Sequence, residues 1–372
     1  MITLSRMFIH PVKSMRGTSV SHALVQPDGL ANDRRFMLTD VNGHFMTARQ
    51  FPEMVLFDAL TIPQGLFIQA PDGSQGVVRF EEFSPADAET EVWGNVFTAS
   101  IAPQAINHWL SQFFSQPVQL RWTGHDTQRR IKRLPSVPLS FADGYPFLLI
   151  NQRSFHDLQN RCPAGIRIEQ FRPNLVVTGA EAWEEDSWSV LRIGDVTFEV
   201  TKPCSRCVLT TVSTEHGRRH PGNEPMKTLT GFRQAADDSG DVDFGINLIA
   251  RNSGVIRCGD SVSILSHKPA RPYRVTPTPS TQPQVEGNGE EIEICWQQTT
   301  FCGNTQQILL EQLEAAGISI PYSCRAGSCG CCRMTLVSGE VTALNRAAQN
   351  GDTILSCSCI PRSAVVVKPV DG

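Results

Sequence analysis

The first 161 of the 372 residues contain no cysteine. The sequence also has no apolar run near the roughly 18 residues that a membrane-crossing helix requires, so we expect no membrane partner. Its first residues lack the long apolar core and the cleavage site of a secretory signal peptide. We therefore expect a cytoplasmic protein, in which cysteines stay mostly reduced and a cysteine cluster indicates metal binding or catalysis rather than disulfides.

Two further absences narrow the function. The sequence contains no P-loop and no G-x-G-x-x-G stretch, so no nucleotide site can be read from it. Its formal net charge is −4, whereas a general nucleic-acid binder has a basic footprint. We therefore expect no nucleic-acid partner.

Cysteine and acidic residues are concentrated near the carboxyl terminus. Eight of the 12 cysteines fall in the last 87 residues. From residue 286 onward, nine acidic and five basic side chains give a charge of −4, so residues 1–285 sum to zero. Five prolines mixed with Thr, Ser and Gln fall within residues 269–283, a composition typical of an extended linker. Two electrostatically different parts are thus joined by a proline-rich linker.

Short β-type segments separated by Gly, Pro, Asn and Asp fill the first hundred residues and predict a barrel or sandwich. Single strands are predicted over residues 55–62 and 91–99. Residues 118–265 mix strand and short helical patterns, with a strand predicted over residues 208–212. After the linker, helical spacing predicts a helix over residues 305–316, with Asn304 or Thr305 as its N-cap.

The strongest motif is a C-x4-C-x2-C ladder followed by a later cysteine. This is the plant-type [2Fe–2S] spacing, in which four thiolates hold two irons and three of them come from one tight loop. Structural zinc or disulfides are the alternative, but zinc sites favour C-x2-C pairs and only one such gap occurs here. The segment resembles plant-type ferredoxin modules. That resemblance implies four cluster ligands: Cys324, Cys329, Cys332 and Cys357. Cys359 is the alternative candidate for the fourth ligand.

The second motif is Cys204-Ser-Arg-Cys207, which is preceded by Lys-Pro. A lone C-x2-C is compatible with half a zinc site, a redox pair or a buried pair. No second pair follows at zinc spacing, and the βαβ context of a thioredoxin-like pair is missing. A soft thiolate is suited to a soft or high-valent metal whose other ligands come from elsewhere.

Several segments together carry a family resemblance: Pro-Cys-Ser-Arg-Cys at 203–207, Phe-Arg-Pro-Asn at 171–174, His-Pro-Val-Lys-Ser at 10–14, Asp-Arg-Arg-Phe at 33–36 and Phe-Met-Thr-Ala-Arg at 45–49. They resemble the MOSC-domain family, specifically its mitochondrial amidoxime-reducing-component group. The resemblance covers residues 1–265, and the appended ferredoxin module is typical of a bacterial type within the family.

The resemblance implies a mixed, mainly β fold in four parts. We expect a MOSC N-terminal β-barrel domain at residues 1–118 and a β-barrel-like α/β MOSC domain for the molybdenum cofactor at 119–267. The proline-rich linker then occupies residues 268–285. An α+β ferredoxin domain of the β-grasp type follows at residues 286–372.

The resemblance also implies a site. Cys207 would bind the molybdenum of a molybdopterin cofactor and act as the catalytic residue. Arginine and lysine suit the phosphate of that cofactor. Five family positions that hold the cofactor match Lys13, Arg35, Arg172, Ser205 and Arg206. Arg49 and Asn174 are further candidates, and a structural role is expected for Cys204.

These features lead to one functional expectation and two alternatives. The family implies reduction of N-hydroxylated compounds, such as hydroxylaminopurines, to amines. A separate flavoprotein reductase using NAD(P)H would feed the cluster, because this sequence has no flavin or nicotinamide domain. The first alternative is sulfur transfer through a persulfide on Cys207, and the second is a non-catalytic carrier of cofactor or electrons.

Overall fold

The computed structural model describes residues 1–85, 87–274, 291–318, 320–321, 330–344 and 348–370. The chain forms two compact units. The first comprises Met1–Cys204, Leu209–Pro225 and Phe244–Arg271, and the second comprises Ser205–Val208, Met226–Asp243 and Pro272–Gly372. The fold is mainly β, which confirms the predicted class. Among the described residues, no helix is long and apolar enough to cross a membrane.

Strands β1 to β20 belong wholly or mainly to the first unit. In chain order they are Ile2–Ile9, Thr18–Val20, His22–Gln26, Gly29–Leu30, Phe36–Thr39, Asp58–Ile62, Gly65–Gln69, Gln75–Arg79, Ala88–Val92, Asn95–Ile101, Gln119–Trp122, Arg130–Ile131, Leu134–Pro138, Phe147–Asn151, Leu175–Thr178, Trp188–Ile193, Val196–Ser205, Asp243–Ala250, Gly254–Arg257 and Ser261–His267. Helices α1 and α2 of this unit are Gln104–Ser111 and Gln152–Arg161.

A closed barrel forms the larger part of the first unit. Its strands pair in the order β1-β20-β16-β17-β18-β14-β15, and β15 pairs back with β1. Alternation along β17 turns Val196, Phe198 and Val200 inward, as expected for a strand with one buried face. They join Trp188 and Phe147 in the barrel core. Closure pairs the two ends of this strand order with each other, and the short strand β2 pairs with the far end of β1.

Two smaller sheets, β5-β11-β10-β9 and β6-β7-β8, surround the other core of this unit. That core contains Phe36, Phe57 and Trp122. Both single-strand predictions here were wrong. Residues 55–62 do not form one strand, because residues 55 and 56 belong to the 3-10 turn Pro52–Leu56 and β6 begins only at residue 58. Residues 91–99 split because the backbone reverses at position 93, so β9 and β10 form a hairpin.

The second unit contains α3, Met226–Arg233, and α4, Leu309–Ala315. Its strands β21 to β28 are Glu291–Trp296, Thr299–Asn304, Arg333–Ser338, Val341–Ala343, Gln349–Asn350, Thr353–Leu355, Cys359–Pro361 and Val365–Pro369. Six of them form the sheet β22-β21-β28-β23-β26-β25. The core beside this sheet contains Ile294, Leu313, Met334 and Val367.

The helix of the ferredoxin part begins later than predicted. The side chain of Asn304 accepts the backbone N–H groups of Gln306 and Gln307, at 3.0 and 2.8 Å. The amide of Gln312 reaches back to the Asn304 and Gln307 carbonyls. Asn304 therefore caps a turn that precedes α4, and the helix starts at Leu309.

Candidate functional site

Lys13 lies in the loop after β1 and is 5% exposed. Its backbone N–H donates to the Phe36 carbonyl over 2.8 Å, which fixes the loop. Its ammonium donates to the Phe141 carbonyl over 2.8 Å and also to the Asp143 carboxylate. Burial lowers the pKa of Lys13 to about 8, although the charge of Asp143 opposes the shift. The charge of this lysine therefore depends on the anion beside it.

Asp143 is that anion, and its side chain is half-exposed. Burial raises the pKa of Asp143, but the charges of Lys13 and Arg49 outweigh burial and hold it well below its usual range. The indole N–H of Trp93 donates to the same carboxylate over 3.0 Å. An ionised carboxylate thus stands beside Lys13, and the sequence analysis did not identify it.

Trp93 reaches this carboxylate from the tip of the β9–β10 hairpin. Its φ of 56° is left-handed, which is uncommon for a residue other than glycine. The guanidinium of Arg49 lies 4.3 Å from the centroid of the indole, and Phe45 packs 5.1 Å away. Such a conformation persists where the surroundings fix it, which is frequent at functional sites.

Arg129 adds another buried cation, at 5% exposure. Its guanidinium donates to the carbonyls of Ser140 and Asp143, both over 3.0 Å. Burial lowers its pKa to about 10, so it remains protonated at neutral pH. Its Nε is buried and has no hydrogen-bond partner within the described part of the chain.

Arg172 follows the 3-10 turn Ile168–Phe171 in a left-handed conformation, with φ 54°. One nitrogen of its guanidinium donates to the Met15 carbonyl. The other, Nη2, is buried and lacks a hydrogen-bond partner among the residues that the structure describes. Burial and the charge of Arg34 lower the pKa of Arg172 to about 9. Arg172 therefore offers an unused buried donor.

Arg34 lies beside Arg172 and was missed by the sequence analysis. Its guanidinium donates to the Arg172 carbonyl over 3.0 Å, to the Asn174 side chain over 3.1 Å, and to Asp33. The Asn174 amide in turn donates to the Phe8 carbonyl over 3.3 Å. Asn174 thus orients Arg34. Asn174 was a further candidate for contact with the cofactor, and here its side chain positions Arg34.

Arg35 points elsewhere. Its guanidinium binds Asp28 over 2.6 Å and the carbonyls of Gly124 and His125 over 2.7 and 2.6 Å. It lines a cleft of about 590 Å³ whose wall includes Trp122. Arg34 has a left-handed backbone, with φ 50°, in the turn before β5, and its side chain and that of Arg35 bind different neighbours. The structure brings Lys13, Arg49 and Arg172 into one unit and turns Arg35 into this cleft.

We call the group around Lys13 the Lys13 cluster; its cations and anions are Lys13, Arg34, Arg49, Arg129, Arg172, Asp33 and Asp143. The cations outnumber the anions, and two of the cations carry buried nitrogens without partners among the described residues. Burying charge is costly unless an opposite charge or hydrogen bond compensates. The cluster therefore fits a ligand with several anionic oxygens, such as a phosphate.

The C-x2-C motif falls at the junction between a strand and a turn. Ser205 ends β17, and Arg206 and Cys207 precede the 3-10 turn Val208–Thr211. The strand predicted over residues 208–212 was therefore wrong. Arg206 is 8% exposed, and its backbone N–H donates to the Val242 carbonyl over 2.8 Å. Cys207 is half-buried.

Two of the four predicted cluster ligands lie in the described part of the chain. Cys332 and Cys357 are buried at 1% and 3% in the same core. Ser356 ties them together, because its backbone N–H and hydroxyl donate to the Cys332 carbonyl over 3.2 and 3.1 Å. Cys324 and Cys329 lie outside the described residues. The competitor Cys359 is buried in β27, where its thiol donates to the Ala348 carbonyl over 3.4 Å.

Comparison with known families agrees with this organisation. Residues 1–117 match the MOSC N-terminal beta barrel domain, residues 137–263 the MOSC domain, and residues 292–362 the 2Fe-2S iron-sulfur cluster binding domain. A ferredoxin reductase from carbazole 1,9a-dioxygenase is a similar solved structure, with 26% identity, coverage of 22% of this chain and 29% of that chain, and a TM-score of 0.21.

Curated relatives cover most of the chain. Mitochondrial amidoxime-reducing component 1 of Homo sapiens is 30% identical over 280 residues, or 71% of this chain and 83% of the relative. Mitochondrial amidoxime reducing component 2 of the same organism is 31% identical over 278 residues, or 70% and 82%. A molybdenum cofactor sulfurase of Arabidopsis thaliana is 28% identical over 255 residues, or 62% and 31%.

These matches define a MOSC protein with a carboxyl-terminal [2Fe–2S] domain. The chain belongs to the family that includes the mitochondrial amidoxime-reducing components. The family resemblance seen in the sequence is thereby confirmed. The two predicted cofactors, a [2Fe–2S] cluster and the molybdenum cofactor, are supported at the level of the families. The domain boundaries and the role of each site residue stay predictions.

Proposed function

We propose that the chain is a molybdenum-dependent reductase of N-hydroxylated compounds, with hydroxylaminopurines among its substrates. The observation that carries this proposal is the Lys13 cluster, in which buried cations exceed anions and two buried donors lack partners among the described residues. The same chain has a [2Fe–2S] domain, so an electron source accompanies the anion site. The names of the two human relatives refer to amidoxime reduction, which also removes an N-hydroxyl oxygen.

Different residues of the chain would bind the phosphate and the metal of the molybdopterin cofactor. Lys13, Arg34 and Arg172 would hold its phosphate, and Cys207 would provide a thiolate ligand to the metal. Ser205 and Arg206, next to Cys207, are the other proposed contacts. Arg35 could contribute only if its guanidinium left Asp28, so Arg34 is the better candidate of the two.

Asp143 has to give way when the phosphate binds, because it now neutralises Lys13. Trp93 supplies the alternative partner, since its indole N–H already donates to the same carboxylate oxygen. A phosphate would also keep Lys13 protonated, because an adjacent anion favours the charged form. These residues therefore form an anion-binding site in which a phosphate can replace the carboxylate of Asp143 beside Lys13.

The reaction is a two-electron reduction. The N–O bond of the substrate breaks, the nitrogen is reduced, and two protons and two electrons convert the N-hydroxyl group to an N–H group and water. The bound molybdenum would supply two-electron oxygen chemistry, and the cluster would supply single electrons. Cys332 and Cys357 would be two of the four cluster ligands.

Electrons would come from a separate flavoprotein that oxidises NAD(P)H. Exposed carboxylates occur on the [2Fe–2S] unit, including Glu291, Glu293 and Glu340. Complementary charge steers such encounters, so we expect a basic surface on the donor.

The test is reduction of hydroxylaminopurine by the purified holoprotein with a reduced viologen as electron source. Wild-type protein should turn over, Cys207→Ala should lose turnover, and Cys204→Ala should retain most of it. Turnover by Cys207→Ala near that of the wild type would remove Cys207 from the metal. Persulfide transfer without loss of the N-hydroxyl substrate would instead support sulfur transfer. If the protein catalysed neither reaction, the carrier role would be supported.

A further inference from the structure

The cleft that Arg35 lines is separate from the Lys13 cluster. Its volume of about 590 Å³ is within the usual range for small-molecule sites, and all of its lining residues belong to the first unit. No member of the Lys13 cluster lines it. Three kinds of group meet in this cleft: aromatic rings, a largely buried carboxylate and an indole N–H.

Aromatic rings form one part of the lining. Phe36 of β5 and Trp122 of β11 are paired across their sheet, and Phe80 begins the 3-10 turn that follows β8. The Phe80 ring stacks on the Trp122 indole, with centroids 4.8 Å apart and an interplanar angle of 26°. His125 lies 5.1 Å from the same indole, at 80°. Phe80 is half-buried and His125 is exposed, so a planar ligand can reach this aromatic surface.

Asp28 contributes a carboxylate to the lining. It lies in the turn between β3 and β4, and its side chain is 14% exposed. Its Oδ2 accepts the Arg35 guanidinium over 2.6 Å, and the other terminal nitrogen of Arg35 donates to the Gly124 and His125 carbonyls. Arg35 therefore holds the carboxylate by one oxygen. The other oxygen, Oδ1, accepts no hydrogen bond from the residues that the structure describes.

The indole of Trp122 contributes a donor. Trp122 is 7% exposed, and a buried indole N–H usually has a hydrogen-bond partner. The indoles of Trp93 and Trp109 follow this rule, since they donate to Asp143 and Ser74 over 3.0 and 3.1 Å. The Trp122 N–H donates to no acceptor in the described part of the chain. The cleft thus has an unused acceptor and an unused donor together with an aromatic surface.

The charges of the lining favour a neutral ligand. Two carboxylates, Asp28 and Asp126, balance two guanidinium groups, Arg35 and Arg130. Arg35 already donates to three oxygens, and Arg130 donates to two backbone carbonyls over 2.7 and 3.0 Å. An anion would have to displace these contacts, whereas a neutral ligand with an N–H donor and a nitrogen acceptor leaves them in place.

We propose that this cleft binds a planar heteroaromatic amine, a nitrogen heterocycle with an exocyclic amino group, of which adenine is an example. The heterocycle stacks on the aromatic surface of Phe80 and Trp122, because every such ring has a π face. The amino group donates to Oδ1 of Asp28, and a ring nitrogen accepts the Trp122 N–H. The inference concerns binding alone and does not depend on the proposed function.

The first test is calorimetric titration of the wild-type holoprotein with adenine and with unsubstituted purine. Purine has the same ring system but lacks the amino donor. Adenine should bind at least about tenfold more tightly, the usual effect of a hydrogen bond to a charged group. Equal affinities, or no binding of adenine, would overturn the inference.

Two variants test whether the bound adenine lies in the cleft. Asp28→Asn removes the charge of the acceptor and should lower adenine affinity by about tenfold, and Phe80→Leu removes a stacking ring and should lower it by about 5- to 100-fold. The matched controls are Asp58→Asn, whose carboxylate pairs with Arg16 at another place in the unit, and Phe67→Leu, another half-buried phenylalanine. Both controls should bind adenine as the wild type does. Undiminished affinity in either cleft variant would contradict the proposal.

A photolabelling experiment uses only the wild-type holoprotein and so does not depend on the folding of a variant. Irradiation with an azide derivative of adenine, followed by mass spectrometry of the peptides, should label the segments that contain Phe80 or His125, and excess adenine should prevent this labelling. Protectable labelling confined to other segments would overturn the inference. Adenine binding in the cleft of a protein that reduces no N-hydroxylated compound would reject only the proposed function.

Discussion

The indole N–H of Trp93 donates to the carboxylate of Asp143 over 3.0 Å, so a hairpin of the amino-terminal region holds the counter-ion of Lys13. The same indole covers the guanidinium of Arg49. Trp93 therefore positions two charged groups of the proposed cofactor site without itself carrying charge.

Trp93→Phe keeps a ring over Arg49 and removes the N–H donor. We expect the molybdopterin retained through purification to fall by about two- to tenfold, the effect of one lost hydrogen bond. Fluorescent pterin analysis of the purified protein measures this. The matched control is Trp109→Phe, which removes an indole hydrogen bond to Ser74 in a different part of the unit. Equal pterin content in Trp93→Phe and wild type would contradict the positioning role.

The two neighbouring arginines should behave differently. Arg34 contacts Arg172 and Asn174, whereas Arg35 is bound to Asp28 in a separate cleft. We expect Arg34→Ala to lose most of its bound molybdopterin and Arg35→Ala to retain more, as measured by pterin content per chain. The opposite order would show that Arg35 leaves Asp28 to hold the cofactor, as the sequence comparison alone predicts.

This pair shows where reasoning from sequence stops. The motif containing both arginines was recognised, but the projection of each side chain depends on a left-handed backbone at Arg34, with φ 50°. Trp93 and Asp143 are far apart in the chain, and only the folded structure joins them. By contrast, the mainly β class follows from the apolar segments and turn residues, and the [2Fe–2S] spacing is local.

The errors in secondary structure have local causes too. The two-residue turn Trp93-Gly94 has positive φ at both positions, 56° and 71°, and Gly94 is the hairpin signal that the prediction of one continuous strand overlooked. The start of α4 was predicted too early because Asn is a favoured N-cap residue, whereas Asn304 caps the turn that precedes the helix. The hairpin turn thus depends on backbone conformation, and the start of α4 depends on which backbone N–H groups the Asn304 side chain accepts.

Glu185 predicts a pH dependence of stability. Ser154 and Asn151 donate to its carboxylate over 2.8 and 2.9 Å, but burial raises its pKa from 4.5 to about 7. Between these values the folded protein holds a proton that the unfolded chain has lost. Stability therefore falls as pH rises from 4.5 to 7, by about 3 kcal/mol.

Glu185→Gln should remove this slope, because the amide oxygen can accept the same two hydrogen bonds without a charge. Chemical unfolding of both proteins at several pH values between 4.5 and 8 measures the effect. The control is Glu181→Gln, whose exposed carboxylate pairs with Arg153 at the surface. An unchanged slope in Glu185→Gln would contradict the assignment.

The fourth cluster ligand can be tested with two neighbouring cysteines. Cys357→Ser should lose the visible absorption of the [2Fe–2S] cluster or bind iron weakly, because a thiolate ligand is removed. Cys359→Ser should keep the cluster, since that thiol donates to the Ala348 carbonyl in β27. Loss of the cluster in Cys359→Ser with retention in Cys357→Ser would reverse the assignment.

The central claim is that molybdenum held by this chain reduces N-hydroxylated compounds. The most direct measurement is the molybdenum, pterin and iron content of the purified protein, determined on the same sample as its viologen-driven turnover of hydroxylaminopurine. We predict molybdenum and pterin in equal amounts, twice as much iron, and turnover that rises in proportion to molybdenum. Undiminished turnover by protein that contains iron but neither molybdenum nor pterin would contradict the account.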